Sequence, residues 1–394
     1  MSTTALPTVG LYVHIPFCER VCPYCDFAVV AVRKVEPELE ARYVAALIRE
    51  IESRAVEFEG AQLDTVYFGG GTPSLFRPEA LAKILEAATR AFAASTPPRE
   101  ITLEVNPSTV ERDRLPAFRS SGIDRISLGV QSFDDATLKR LGRAHKAHEA
   151  RQTFTAARQA GFGNVSLDLI LACPHQGFDA FARDLEEALA LEPEHLSLYE
   201  LTIEAGTPFE FAASRDQLAP PDDEVATRML EHTAARSAGA GFERYEISNY
   251  ARPGFASLHN QRYWAREAVL GVGTGAWSYE APGARFRFGA RRMNPRDLGA
   301  YFAAVGAGGD EGVESEVLTL EQARGEAIFL SLRRRTGVDA RAFEAEFGGR
   351  PRKFYDEQID RLMAAGLLAE TESGDLRLSD RGLLLSDTVF ADFV

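Results

Sequence analysis

The 394-residue chain is 45% hydrophobic and 26% charged, an ordinary globular composition that excludes wholesale disorder and fibrous classes. Its 44 Lys and Arg against 58 Asp and Glu leave a net charge of −14, which argues against broad electrostatic binding to nucleic acid or anionic lipid. No stretch approaches the ~20 apolar residues of a membrane span. The opening MSTTALPTVGLYVHIPF lacks the basic start and long apolar run of a secretory signal, so a cytoplasmic protein is expected, with peripheral membrane contact left open.

In chain order, Gly10–Ile15 predicts a strand, and the run PFCERVCPYCDF follows it. Pro37–Glu57 predicts an amphipathic helix with Leu39, Tyr43, Leu47 and Ile51 on one face. Thr65–Phe68 is a short apolar strand that runs into Gly69, Gly70 and Gly71, and Pro78–Phe92 is the next helix. Strands follow at Ile101–Val105, Arg125–Val130, Val165–Leu171 and Leu196–Leu201. Helices at Arg112–Ser120, Asp135–Leu141, Ala147–Ala160 and Phe178–Leu189 separate them. Strand–helix alternation implies a parallel sheet with crossover helices. Six strands fall short of the eight in a closed barrel, so the expected α/β fold is a partial (β/α)6 barrel over residues 1–205.

Ala205–Pro221 reads as a connection, Asp223–Gly239 as a helix and Arg244–Ile247 as a strand. Residues 206–315 form an accessory region. From Glu316 the pattern becomes helix, helix, helix, and Gly374–Leu378 then suggests a short β-wing. Residues 316–394 therefore predict a winged-helix-like module.

The chain has four cysteines, and Cys18, Cys22 and Cys25 lie within eight residues of one another. A disulfide framework conflicts with the odd cluster and the compartment. A structural zinc site usually takes four ligands, and no second CxxC pair exists. Three thiolates on a short loop suit three irons of a [4Fe–4S] cluster and leave the fourth open to a small molecule. An incidental thiol cluster or a labile zinc site is the alternative. Cys173, alone after an apolar strand, reads as a packing residue.

YVHIPFCERVCPYCDF resembles the signature of the radical S-adenosylmethionine (SAM) superfamily, in the branch of oxygen-independent coproporphyrinogen III oxidase and its relatives. FGGGTPS, TLEVNPST, RISLGVQSF, LGRAH and SLDLI follow in that branch's order. The resemblance implies that Cys18, Cys22 and Cys25 hold the cluster. It also implies that the open iron chelates SAM, whose C–S bond is cleaved by a cluster electron. Gly70, Gly71 and Thr72 then face the SAM amino end, where glycine lets backbone come close. Glu104 and Gln131 face SAM, and Arg143 pairs with its carboxylate through a guanidinium fork. Asp168, a carboxylate inside an apolar run, takes the ribose region, and Tyr12, Tyr24 and Ile170 flank the nucleoside.

Within the branch, two activities compete: oxidative decarboxylation of coproporphyrinogen III, and heme binding and delivery to heme-dependent acceptor proteins. The oxidases carry an N-terminal extension and a further cysteine two residues past the third ligand. Here Cys18 comes early and that position is Phe27. LHNQRYW at 258–264 matches the HNxxYW motif of the heme chaperones, and LSDRG at 378–382 fits their C-terminal module. The expectation is therefore a heme chaperone carrying a [4Fe–4S] cluster, SAM and heme, with no coproporphyrinogen dehydrogenation. His259 is the candidate heme ligand, with Tyr263 and Trp264 covering the porphyrin. The alternative for His259 is local hydrogen bonding. A nucleic-acid partner is not expected, because the winged module's basic clusters fit solvated helix faces. The chain is expected as a monomer or a homodimer.

Overall fold

A computed structural model describes residues 6–92, 96–308 and 312–393. The expected six strands form in order: β1 (Thr8–Ile15), β2 (Gln62–Gly70), β3 (Glu100–Val105), β4 (Arg125–Gln131), β5 (Val165–Leu171) and β6 (His195–Glu200). Each pairs in parallel with the next, so sequence order and sheet order coincide. The crossovers are α1 (Pro37–Arg54), α2 (Pro78–Ala91), α3 (Thr109–Ser120), α4 (Asp135–Arg140) with α5 (Ala147–Gln159), and α6 (Phe178–Ala190). Tyr43, Leu47 and Ile51 of α1 are fully buried, the face their helical spacing predicts. Val9, Leu11, Val13 and Ile15 of β1 alternate into the same core.

The accessory residues join this sheet at both edges. After α7 (Pro208–Ala213) and α8 (Asp223–Gly239) come β7 (Glu243–Arg244) and β8 (Asn249–Ala251), and β8 runs antiparallel to β6. After α9 (Leu258–Trp264), β9 (Val269–Val272) pairs in parallel with β1 at the opposite edge. The antiparallel strands β10 (Trp277–Glu280), β11 (Ala290–Met293) and β12 (Glu314–Val317) then extend that edge to twelve strands in all among the described residues.

Two local expectations change. The supposed connection 205–221 contains α7, capped by the Thr207 hydroxyl, which accepts from the Glu210 amide. Of the supposed strand Arg244–Ile247 only Arg244 lies in β7, and the residues after it turn the chain into β8. The buried Glu246 carboxylate accepts from the Ser248 amide and the Asn249 side chain, which turns the chain between them.

Helix α9 closes the end of the barrel where the strands begin. Its first turn donates the amides of Leu258 and His259 to Glu100 at 2.9 and 3.0 Å. Arg262, 2% exposed, ion-pairs with Asp64 at 2.8 Å and donates to the Thr8 carbonyl at 2.8 Å. α10 (Leu298–Ala307) then packs on α1. The C-terminal module consists of α11 (Leu320–Arg333), α12 (Ala340–Phe347), α13 (Arg352–Ala364), an antiparallel wing of β13 (Leu368–Glu370) and β14 (Leu376–Leu378), and the short helices α14 (Asp380–Leu384) and α15 (Ser386–Phe390). It has its own apolar core around Ile328, Leu332, Ile359 and Leu376. No helix among the described residues is long and apolar enough to cross a membrane.

Candidate functional site

The parallel strands end together, and the loops leaving those ends enclose a cavity of about 400 Å³. Cys18, Cys22 and Cys25 line it as free, half-buried thiols. A two-residue parallel ladder, Phe17–Cys18 against Val30–Ala31, pins the base of their loop and holds all three to one side. The Thr72 hydroxyl donates to Cys18 Sγ at 3.6 Å, and Arg143 Nη1 donates to Cys22 Sγ at 3.7 Å. Burial pushes the Cys18 thiol up to about 11 and raises Cys25, so a metal taking them as thiolates releases protons. Among the described residues no three Cys, His, Asp or Glu side chains converge on a single ion. Three thiols from one short loop fit a cube, which takes one thiolate per iron.

The other sequence-predicted groups surround the same space. Arg143 Nη2 donates to Asn106 Oδ1 and, at 3.0 Å, to the Gly129 carbonyl, and Asn106 donates to the Thr72 hydroxyl at 2.8 Å. This chain of bonds ties three strand ends together and fixes the guanidinium beside Cys22. Gln131 lines the cavity from a left-handed conformation, φ +64°, where the β4–β5 register is irregular. Such a conformation in a non-glycine residue is a strain that collects at binding sites. Gly70 sits at φ +114°, and a Cβ there would fall 2.6 Å from the His14 ring. Its glycine is required by the chain's own packing. Asp168 accepts from Ser127 at 2.9 Å and Ser166 at 3.1 Å, the partners its apolar run demanded, and burial raises its pKa. Tyr24, Gly71, Thr72 and Ile170 line the cavity as expected.

Glu104 is the most perturbed acid of the site. It accepts from the Tyr67 hydroxyl at 2.9 Å and the Gly70 amide at 3.1 Å. Burial pushes its carboxyl up to about 7, against the opposing Tyr67 bond and with the Asp168 charge adding to the rise. A carboxyl raised in the folded state favours folding below its unfolded pKa and loses that contribution as pH rises through the folded one. Between about pH 4.5 and 7 Glu104 is therefore expected to cost roughly 3 kcal/mol of stability. Chemical denaturation across this range should give a flatter curve for Glu104→Gln. An equally steep curve in the variant would assign the titration to another group.

Two predicted residues do not reach the cavity. Tyr12 stacks behind Tyr67, ring centroids 6.0 Å apart, and its hydroxyl bonds His14 Nδ1 at 3.1 Å. His259 is 1% exposed inside the barrel. Its Nδ1 bonds the Thr65 hydroxyl at 2.9 Å and its Nε2 bonds the Tyr263 hydroxyl at 3.1 Å. Burial, then the charges of Arg262 and Arg125, pull its pKa down to about 3. Both ring nitrogens are engaged, so His259 offers no free nitrogen to an iron as it stands. The local hydrogen-bonding reading of this residue matches its placement.

Sequence reasoning missed Tyr67, Asn106, Arg125, Ser127 and Ser197, all of which line the cavity. One signal was legible. In RISLGVQ the alternate positions Arg125, Ser127, Gly129 and Gln131 are polar or small between apolar Ile126, Leu128 and Val130. A parallel strand with that alternation turns its polar face to a lumen.

The radical SAM superfamily model matches residues 12–188, and the model of the HemN C-terminal domain matches residues 318–385. The heme chaperone HemW of Bacillus subtilis is 32% identical over 97% of this chain and 98% of its own length. That of Lactococcus lactis is 35% identical over 97% and 96%. The solved structure of Escherichia coli coproporphyrinogen III oxidase superposes with a TM-score of 0.82 at 24% identity, covering 98% of this chain and 90% of that one.

Proposed function

This chain belongs to the radical SAM superfamily, in the family of the HemW heme chaperones, and on that premise we propose that it binds heme and delivers it to heme-dependent proteins. The observation that carries the reading is similarity to named heme chaperones along nearly the whole chain, C-terminal module included. The oxidase is matched in fold alone, and Phe27, 65% exposed, stands where the resemblance puts a further oxidase cysteine.

Cys18, Cys22 and Cys25 hold a [4Fe–4S] cluster on this reading, with Thr72 and Arg143 donating to the sulfurs. The cluster supplies an open iron and an electron to bound SAM. The protein's part is to bind, orient and shield. Arg143, fixed by Asn106, presents its remaining fork to the SAM carboxylate. Gly70–Thr72, Glu104 and Gln131 line its amino end, Asp168 meets the ribose, and Tyr24 and Ile170 flank the adenosine. Glu104, near neutrality at physiological pH, accepts or holds a proton there without a fixed charge. The free thiols suit a reducing cytoplasm. Neither nucleic acid nor a membrane is part of the proposal, and the acceptor is a heme-dependent protein.

The test is a pair of anaerobic incubations of cluster-loaded protein. With ferric heme, a Soret band distinct from free heme is expected. With coproporphyrinogen III, SAM and a reductant, no protoporphyrinogen IX is expected, and its formation would overturn the chaperone reading.

A further inference from the structure

A second cavity, of about 380 Å³, lies at the seam between α9, strands β10 and β11, and helix α11 of the C-terminal module. Its lining shares no residue with that of the cysteine cavity. Tyr263, Trp264, Trp277, Tyr279 and Phe329 wall it. The chain has two tryptophans, and both are here. Trp277 is 49% exposed at the mouth, and the Arg333 guanidinium covers Trp264 at 4.3 Å.

The polar atoms in this wall are unevenly satisfied. Arg266, 9% exposed, is held at φ +54° just past the end of α9. Its Nη1 donates to Glu346 at 2.9 Å, while its Nε and Nη2 meet no acceptor. Trp264 Nε1 and Arg291 Nε are likewise buried without one, although Arg291 ion-pairs with Glu316 and Glu326. The Tyr279 hydroxyl faces the Arg266 guanidinium in the same wall. A buried donor left unpaired carries the cost of its lost hydration, which an incoming acceptor relieves. Most of these groups are N–H donors set among aromatic rings; the one acid among them, Glu326, is already neutralised by its ion pair with Arg291 at 2.8 Å. The ligand chemistry they fit is a flat apolar ring system that carries carboxylates.

We propose that this seam cavity, and not the cysteine cavity, holds the heme, its ring against Trp264 and Trp277 and a propionate on Arg266. The assignment rests on the heme-binding reading above. It also accounts for the two halves of the HNxxYW motif. His259 fastens α9 to the barrel strands through Thr65 and Glu100, and Trp264 lines the seam. Heme and SAM then occupy opposite ends of the barrel and do not compete for space.

The test titrates ferric heme into the full chain loaded with its cluster, alongside Trp277→Ala and Arg266→Gln. Each variant is expected to weaken heme binding about tenfold or more. Iron content and SAM affinity should stay native in both, and Trp277→Ala, at a half-exposed position, should keep its thermal midpoint, which separates a binding role from a folding one. A dye that is itself an aromatic anion, 8-anilinonaphthalene-1-sulfonate, should be displaced by heme from the native protein. Native heme affinity in both variants would overturn the placement and leave the heme reading standing. Absence of heme binding by the native protein would remove that reading, and the placement with it.

Discussion

Cys18→Ala, Cys22→Ala and Cys25→Ala are each expected to abolish the brown iron–sulfur absorbance. The native protein, reconstituted without oxygen, should carry about four irons. The three thiols line one side of a single cavity from a loop whose base is pinned by a short ladder, so no neighbouring side chain can replace a lost one. Cys173 is the internal control. It is fully buried, and its thiol donates to the Ile170 carbonyl at 3.4 Å. Burial pushes that thiol up to about 12, and unlike the other three it does not line the cysteine cavity. Cys173→Ala should keep its iron, measured colorimetrically and by absorbance. Iron lost from Cys173→Ala, or retained at native level in Cys18→Ala, would refute a three-thiolate cluster.

Arg143→Ala is expected to weaken SAM binding by roughly one to two decades with iron content close to native. A hydrogen bond to a charged group contributes about 1.5–3 kcal/mol. The guanidinium is oriented by Asn106 and the Gly129 carbonyl, so little ordering cost remains when a carboxylate arrives. Arg143→Lys should recover little, because an ammonium lacks the planar fork those two acceptors hold in place. Anaerobic calorimetry with SAM reads the effect directly. Native affinity in Arg143→Ala would remove the residue from the site.

The cysteine loop, the triple glycine and the polar residues at strand ends were legible because each is local. A strand followed by a glycine turn and a helix places its last residues at one end of a parallel sheet wherever the sheet lies. Gly70, Glu104 and Gln131 meet in one cavity for that reason. The supporting residues were harder to find. Asn106 looks like a strand-end turn residue until Arg143 and Thr72, 37 and 34 positions away in the chain, are seen to bond it.

The strand–helix alternation and the CxxxCxxC spacing determined the half-barrel and its cluster loop, since both are set by periodicity and by short-range chemistry. Only the tertiary structure decided the place of the HNxxYW segment. Its histidine reads as a free ligand in the sequence, yet α9 folds back into the barrel. There Thr65, Glu100 and Asp64, all from strand starts far away in the chain, claim its polar groups. A buried polar group must find partners, and long-range packing chooses them. The same packing brings Trp264 against Arg333 and into one wall with Trp277, and so creates a cavity that no stretch of the sequence describes alone.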